Sequence, residues 1–384
     1  MMLNFWTKMM SYHSGGGGSG SGGGNGSGGG GAGGGAGGGA GEQPPIQPTP
    51  VGALRFNTDS LRLEYFDGNE YVNITTDSPE RNTGATFGLC GGRGNDGAFS
   101  NAVDKINIDT TGNGVDYADL NYSCSQNGAF GSRTQSVFYG GYVSPSTVVT
   151  NCDYVTTASG GSATAGGVLT QARRGQGAGL SNSTRGLAMG GYTPVAPTNA
   201  SNVIDYTTMS EKSAFVDFGD LSDGRERTGS VASPTRGVHI GGINAPNQPS
   251  PYSNTMEFVT ISTLGNAADF GDMQKGRVFC SAASNAIRGI IVGDAYPISN
   301  IITFITIATL GTDQDFGDMN SERDGACSAA SPTRIVTMGG RNPSNSNEID
   351  YGQIMTTGNF VDFGDLSSTA TFMGGCSNGH GGLG

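Results

Sequence analysis

The segment Asp-Phe-Gly-Asp occurs four times in this 384-residue chain, around Phe218, Phe270, Phe316 and Phe363. Asp-Phe-Gly is also the magnesium-binding motif of protein kinases, where it acts together with a strand lysine and a separate catalytic loop. This sequence contains neither of those partners, and a catalytic motif does not recur at regular intervals along one chain. We therefore interpret the four acidic segments as structural repeats.

The chain has three histidines, His13, His239 and His380, and they are far apart in the sequence. They do not provide the clustered ligands of a metal site, and neither a Ser-His-Asp nor a Cys-His set can be assembled around them. No pair of carboxylates departs from the repeat pattern, as a polysaccharide-cleaving site would require. The sequence thus predicts no catalytic residue, no metal site and no cofactor, and we do not expect an enzyme.

The six cysteines are Cys90, Cys124, Cys152, Cys280, Cys327 and Cys376. An even number allows a disulfide framework, but two of them begin the same pentapeptide, Cys-Ser-Ala-Ala-Ser, and so occupy one position in successive repeats. None shows the two-residue spacing of zinc ligands. We predict free thiols that fill tight, buried strand positions.

A further series consists of five arginines that each precede an apolar strand, Arg133, Arg185, Arg236, Arg288 and Arg334. They could bind anions in a central channel, or they could pair with carboxylates of the repeat such as Asp220, Asp272 and Asp318. Because every repeat carries both kinds of group, pairing is the favoured interpretation.

The spacing of these features defines the repeat. The four phenylalanines are 52, 46 and 47 residues apart, and an apolar run that ends in paired glycines recurs in phase with them. These glycine pairs are Gly91-Gly92, Gly140-Gly141, Gly190-Gly191, Gly241-Gly242 and Gly339-Gly340, with Gly293-Asp294 in the remaining unit. Six units with a period near fifty are typical of kelch-type blades. We predict an all-β protein with a six-bladed kelch-like β-propeller over residues 80–384.

The first and last units of the repeat are incomplete in complementary ways. The first begins with a double-glycine strand at Thr86, and the last ends where such a strand is expected. We predict that the N-terminal strand completes the C-terminal sheet and closes the ring, which removes exposed sheet edges.

Three segments precede the repeats. Residues 1–14 contain the apolar residues Leu3, Phe5 and Trp6 and are predicted to be an anchor peptide. Residues 15–50 form a glycine- and proline-rich stalk, either a flexible linker or a packed polyglycine bundle. Residues 51–79 are predicted to form a β-meander with a turn at Asp67-Gly68. Because so small a sheet is not stable alone, it must dock on the propeller, pair with copies of itself or join a larger assembly.

Composition limits the possible partners. The net charge is −12, which argues against nucleic acid, and no apolar stretch is long enough for a membrane span. The chain has 69 glycines and only 14% charged residues, as expected for turn-rich β structure.

Two parts of the sequence resemble known phage proteins. The segments Ala-Ser-Pro-Thr-Arg-Gly at 232–237 and Phe-Val-Asp-Phe-Gly-Asp-Leu at 215–221 resemble kelch-like repeats in structural proteins of marine tailed phages, notably cyanophages. The segment Gly-Ala-Leu-Arg-Phe-Asn-Thr-Asp at 52–59, continued at 63–68, is similar to a short module of phage fibre and tail proteins. Together the two resemblances cover most of residues 51–384.

The resemblance implies a virion structural protein, a tail or capsid fibre or appendage on the surface of the phage particle. It would bind other virion proteins through its N-terminal segment, form a homotrimer and display the propeller for host attachment. The alternatives are a propeller enzyme that acts on surface polysaccharide, a purely structural decoration protein and an intracellular kelch scaffold.

Ligand binding is predicted for the loops that follow the double glycines, because these loops emerge together on one face of the propeller. They contain Tyr142, Tyr192, Tyr252 and Tyr296 among many asparagines and serines. Tyrosine rings beside polar side chains suit carbohydrate. Ordinary turn chemistry explains the same composition and remains the alternative.

Overall fold

The computed structural model of the chain describes residues 49–57, 62–73, 85–95, 98–144, 147–175, 179–195, 199–244 and 252–383. Within these ranges the structure consists of strands, turns and a short 3₁₀ segment at Gly381–Leu383, which confirms the all-β class. No helix of these ranges is long and apolar enough to cross a bilayer. The anchor residues Leu3, Phe5 and Trp6 and the glycine tract lie outside the described residues.

The chain divides into two compact units, Met1–Thr76 and Asp77–Gly384. The described part of the first unit is an antiparallel sheet of three strands, β1 (Leu54–Asn57), β2 (Arg62–Phe66) and β3 (Tyr71–Asn73). The backbone N–H groups of Asn69 and Glu70 donate to the Asp67 carboxylate, which forms the predicted turn. The predicted three-stranded meander is therefore present.

The two faces of this small sheet differ in polarity. One face carries an ion pair between Arg55 and Glu64, with a nitrogen–oxygen distance of 2.8 Å. The opposite face is apolar and stays exposed, with Phe56 at 58% exposure, and its other large side chains are Leu54, Leu63 and Tyr65. One face of this small sheet therefore exposes a contiguous set of large apolar side chains.

The second unit contains twenty-nine strands within the described ranges. The first eleven are β4 (Phe87–Asn95), β5 (Ala98–Asn107), β6 (Val115–Cys124), β7 (Gly128–Gly131), β8 (Gln135–Tyr139), β9 (Tyr142–Val143), β10 (Thr147–Val148), β11 (Cys152–Thr156), β12 (Gly161–Ser162), β13 (Thr164–Ala165) and β14 (Gly179–Ser181). The next nine are β15 (Arg185–Met189), β16 (Val203–Thr208), β17 (Val216–Asp220), β18 (Arg225–Glu226), β19 (Gly229–Ala232), β20 (Arg236–Ile240), β21 (Ile243–Asn244), β22 (Thr255–Thr260) and β23 (Ala268–Asp272). The last nine are β24 (Ser281–Ser284), β25 (Arg288–Ala295), β26 (Ile298–Thr306), β27 (Gln314–Asp318), β28 (Cys327–Ala330), β29 (Arg334–Met338), β30 (Glu348–Gln353), β31 (Val361–Asp365) and β32 (Gly374–Ser377).

These strands form six sheets of four or five strands, plus the two-stranded pairs β9-β10 and β18-β21. Four sheets follow the chain, as β14–β17, β19-β20-β22-β23, β24–β27 and β28–β31. A fifth has the order β7-β8-β11-β13, and the sixth has the order β32-β4-β5-β6-β12. In the sixth sheet Gly374 pairs with Gly91 and Ser377 pairs with Gly88, so the two ends of the unit share one sheet, as the incomplete terminal repeats predicted.

One edge strand of each sheet packs against the corresponding strands of two other sheets. These inner strands are β7, β14, β19, β24, β28 and β32, and they contact one another in that cyclic order, with β32 again contacting β7. Small residues make this close approach possible, because a Cβ on Gly375 would lie 2.9 Å from the Ser328 carbonyl oxygen. The repeated Cys-Ser-Ala-Ala-Ser sequence is thus explained by its place in the inner strands.

The Asp-Phe-Gly-Asp segments form the opposite edge strands of four sheets. Their phenylalanines are buried, whereas the glycines adopt positive φ where the backbone meets the next sheet. A Cβ at Gly219, for example, would lie 2.4 Å from the carbonyl oxygen of Gly265, whose N–H donates to the Phe218 carbonyl. The motif is therefore an inter-sheet contact, in agreement with its interpretation as structural.

All six cysteines are free and buried, as predicted. Burial raises the pKa of the Cys280 and Cys376 thiols to about 12, because desolvation disfavours the thiolate. These residues therefore act as unreactive packing groups in the fold and not as disulfide partners.

The predicted pairing of the recurring arginines with Asp220, Asp272 and Asp318 is wrong. Among the described residues these arginines make other contacts. Arg236 instead donates to the carbonyl oxygens of Ile307 and Ala308 in the next sheet and lies over the Phe258 ring of its own sheet. Arg185, Arg288 and Arg334 repeat this arrangement, with a carbonyl of the following sheet and an aromatic ring of their own. Of the outer-strand aspartates, Asp272 is exposed, whereas Asp220 and Asp318 are partly buried.

Candidate functional site

Two kinds of loop meet at one end of the six sheets. One follows the paired glycines, and the other leads into each inner strand; both connect to strand ends on the same side of the sheet. The paired glycines make the meeting possible. Gly190 and Gly191 have φ of +61° and +108°, and the N–H of Gly191 donates to the Arg225 carbonyl, 2.8 Å away, in the loop before the inner strand. The paired glycines thus lie where two backbones approach each other closely.

Buried arginines anchor these loops to the sheets through hydrogen bonds. In Arg173 one terminal nitrogen, Nη1, donates to the Val203 carbonyl at 2.8 Å, and Nη2 donates to the Asp205 carboxylate at 2.7 Å. Arg225 binds Glu257 and the Thr255 carbonyl in the same way. Arg323 binds Asp350 in the same way. Arg93 binds Asp104, but it follows the paired glycines Gly91-Gly92 and does not precede an inner strand. These pairs fix the backbone from which the exposed side chains project.

Sequence reasoning missed this second arginine series although its signal was present. Arg173, Arg225, Arg277 and Arg323 are 52, 52 and 46 residues apart, which is the period of the repeat. The residue that follows each of them differs from sheet to sheet. It is Arg174, Glu226, Val278 or Asp324, so a constant buried arginine precedes a position whose side chain varies from sheet to sheet.

A second variable set lies two residues before the inner strands. The described members are Gln126, Arg227, Phe279, Gly325 and Phe372, and all five have φ between +54° and +64°. Their backbones are linked, since the Phe372 N–H donates to the Gly325 carbonyl and the Phe279 N–H donates to the Arg227 carbonyl. The rings of Phe279 and Phe372 meet with centroids 4.9 Å apart. These residues therefore converge at one end of the ring of inner strands.

An apolar cluster surrounds the two phenylalanines and includes the first pair of predicted tyrosines. Val278, Phe279 and Ala295 are buried there, with Ile243, Tyr252 and Phe372 packed against them. The Tyr252 ring stacks on Tyr296 with centroids 5.2 Å apart and an interplanar angle of 8°. Tyr296 remains 50% exposed. This pair thus offers an exposed aromatic surface on an apolar base.

The second pair of predicted tyrosines is arranged differently. The Arg174 guanidinium lies over Tyr192, 4.1 Å from the ring centroid, and over Tyr142, 5.3 Å from its centroid. Phe99 contacts Tyr142 edge to face. The structure therefore brings the four tyrosines together as two pairs, one stacked ring on ring and the other bridged by a cation. We call the set Tyr142, Arg174, Tyr192, Glu226, Arg227, Tyr252, Phe279, Tyr296 and Phe372 the aromatic–arginine face.

Glu226 lies between two cations of this face. Its carboxylate is 3.8 Å from the nearest nitrogen of Arg174 and 3.7 Å from Nε of Arg227. Desolvation raises the pKa of Glu226, and desolvation lowers the pKa of Arg174. Both shifts have the same cause, namely that these charged groups are largely removed from water without strong hydrogen bonds to replace it.

The interior of the ring has little room for a ligand. The cavity between the inner strands has a volume of about 50 Å³ and is lined mainly by Ala, Ser and Gly. His380 lies at this cavity with Nε2 2.8 Å from the Gly131 carbonyl oxygen, and burial lowers the pKa of His380 to about 4. This space is far smaller than a small-molecule binding site needs.

The described residues contain no group of three or more His, Cys, Asp or Glu side chains arranged to hold a metal ion. A scan against protein-family models found no match to this chain, and a search of curated proteins found none either.

Proposed function

We propose that the second unit is a six-bladed kelch-like β-propeller. Six sheets in the described ranges, inner strands in cyclic contact and a sheet shared by the two ends of the unit support this architecture. In a propeller the loops at one end of the sheets form a continuous surface around the central axis, and each blade can vary its loops independently. The aromatic–arginine face is such a surface, formed by loops of several sheets whose side chains differ from sheet to sheet.

We propose further that the protein is a non-enzymatic appendage of a phage particle that binds saccharide on the host surface through the aromatic–arginine face. The observation that carries this proposal is the exposed Tyr252–Tyr296 stack on an apolar base, beside polar and charged side chains. Aromatic rings stack against the apolar face of a sugar while neighbouring polar groups bind its hydroxyls. The resemblance to marine phage structural proteins supports the virion assignment.

The carboxylates of the loops at this end of the sheets favour binding over cleavage of a polysaccharide. Asp294 contacts Lys275 at 2.9 Å and Asp324 contacts Arg341 at 3.0 Å, while Glu226 lies beside two arginines. A glycoside hydrolase needs one protonated and one free carboxyl group on either side of a bond. Ion-paired carboxylates in separate sheets do not provide that arrangement.

Replacing both Tyr252 and Tyr296 with alanine is expected to weaken binding of the full chain to host cells by about tenfold, because two ring contacts are lost. Binding of labelled protein to cells measures this. A control variant carries Leu264→Ala and Leu310→Ala, which are exposed in turns at the opposite end of their sheets. If the tyrosine variant binds as well as this control, the aromatic stack is not the attachment site.

The exposed apolar face of the first unit supports assembly into a trimeric appendage. We expect the full chain to be a trimer and the Phe56→Asp variant to be a monomer, since a buried carboxylate between copies would lack a partner. Light scattering gives the mass of both. Asn69→Asp adds the same charge in the exposed turn of this sheet and should leave the trimer intact. A monomeric wild-type chain would contradict trimer assembly without affecting the saccharide proposal.

A further inference from the structure

Within the ranges that the structure describes, two arginines of the aromatic–arginine face lack the side-chain hydrogen bonds to carboxylates and carbonyls that the buried arginines possess. Arg173 donates to a carboxylate and to two backbone carbonyls. Arg174 and Arg227, by contrast, have Glu226 as their one ion-pair partner among the described residues, at distances longer than a hydrogen bond. In the described part of the chain Oε2 of Glu226 is buried without a partner, and so are the Nε atoms of both arginines, as they are in Arg173. The difference from Arg173 therefore lies in the terminal guanidinium nitrogens, which in Arg173 donate to three acceptors. One carboxylate thus serves two guanidinium groups and satisfies neither.

The charge of this cluster is opposite to that of the chain. Arg174 and Arg227 contribute two positive charges and Glu226 one negative charge, whereas the chain as a whole carries −12. The side chains of the two arginines retain 15% and 25% exposure, so a solute can reach them. A second carboxylate would complete the hydrogen bonds of the guanidinium groups and neutralise the cluster.

The arginines are held in place by aromatic rings. Arg174 lies over Tyr192 and Tyr142, and the Arg227 guanidinium lies 4.5 Å from the centroid of the Phe279 ring. Stacking on an aromatic ring restrains a guanidinium through its flat face and leaves the N–H donors at its edge free to bind an acceptor. Both groups are therefore positioned to donate to a planar anion at little further cost in conformational entropy.

The cluster is close to the exposed tyrosine pair. Glu226 pairs with Ile243 across two short strands, and Ile243 pairs in turn with Tyr252, which stacks on Tyr296. Each pairing step spans about 5 Å, so Glu226 and Tyr252 are separated by about 10 Å. A short oligosaccharide can contact both.

We propose that Arg174 and Arg227 bind the carboxylate of an acidic saccharide, while the Tyr252–Tyr296 stack contacts a neighbouring sugar ring of the same chain. This inference rests on the proposed saccharide-binding function and specifies the ligand class, a uronic-acid-containing glycan. Glu226 competes with the ligand for the two arginines and limits its affinity.

The test compares binding of a galacturonic acid oligomer and a neutral galactose oligomer of equal length to the full chain by calorimetry. We expect the acidic oligomer to bind at least about tenfold more tightly, and Arg227→Gln or Arg174→Gln to remove that preference. Glu226→Gln should raise the affinity for the acidic oligomer severalfold, since it removes the competing carboxylate. Lys212→Gln makes the same charge change between β16 and β17, at the other end of the sheets, and should leave binding unchanged.

The outcomes separate the inference from the function on which it rests. Equal binding of both oligomers, lost together in the Tyr252/Tyr296 variant, would leave saccharide binding intact and overturn the role of the arginines. Binding of neither oligomer, with host-cell binding also unaffected by the tyrosine substitutions, would overturn both. If an arginine variant does not fold, the Glu226→Gln variant decides: unchanged or weaker acidic binding contradicts the inference.

Discussion

Replacing Arg225 with leucine is expected to lower the free energy of unfolding by about 3–5 kcal/mol, because the change leaves the Glu257 carboxylate buried without its cation. The Arg225 and Glu257 side chains are 1% and 3% exposed, so water cannot solvate the remaining charge. Arg225 also donates to the Thr255 carbonyl at 2.8 Å, and this acceptor loses its partner as well. Chemical denaturation followed by tyrosine fluorescence measures the loss.

The matched control for Arg225→Leu is Arg236→Leu. Arg236 is partly exposed and donates to the backbone carbonyls of buried Ile307 and exposed Ala308, so its removal leaves no buried charge. We expect this variant to lose no more than about 1 kcal/mol, the value of an ordinary hydrogen bond. Equal losses in the two variants would show that the buried ion pair does not hold the loops of the aromatic–arginine face.

Replacing Gly140 with alanine is expected to cost about 2–5 kcal/mol of unfolding free energy, the sum of two penalties. Gly140 has a φ of +63°, which disfavours any residue with a Cβ, and that Cβ would lie 2.2 Å from the Arg173 carbonyl oxygen. Because the contacting atom belongs to the backbone of a loop held by Arg173, the clash cannot be relieved by a side-chain rotation. Thermal unfolding of the two proteins measures the difference.

Gly161→Ala separates the two penalties. Gly161 has a φ of +86°, but nothing lies within 4 Å of the Cβ position. We expect only the conformational cost of about 1–2 kcal/mol. If Gly140→Ala is no more destabilising than Gly161→Ala, close backbone approach does not explain the paired glycines.

The periodic features of the sequence were enough to predict the class of fold and the repeating sheets. The Asp-Phe-Gly-Asp segments mark the outer edge strand of a unit and the paired glycines mark the end of its second strand, and both depend on local backbone geometry that a Cβ would prevent. The incomplete terminal repeats also predicted that β4 and β32 share a sheet. These predictions succeed because steric requirements of a backbone recur identically wherever the same contact recurs.

The candidate site could be predicted only in part. The repeat places the loops after the paired glycines at one end of the sheets. A common location could therefore be inferred for the tyrosines in these loops, Tyr142, Tyr192, Tyr252 and Tyr296. Their pairing could not. Tyr252 stacks on Tyr296 because adjacent sheets bring two loops together, and Arg174 joins the other two rings from a third position.

The arginines show most clearly what the sequence could not predict, namely the partner that each side chain binds. Two series recur with the same period, and the sequence alone did not reveal that Arg236 binds backbone carbonyls while Arg225 binds a carboxylate. Sequence by itself determined an all-β chain of six repeated units with buried thiols and small inner-strand residues, because these depend on local volume and φ. Only the tertiary structure decided which charges pair and which remain unsatisfied, because an ion pair depends on distances of a few ångströms between segments that are far apart along the chain.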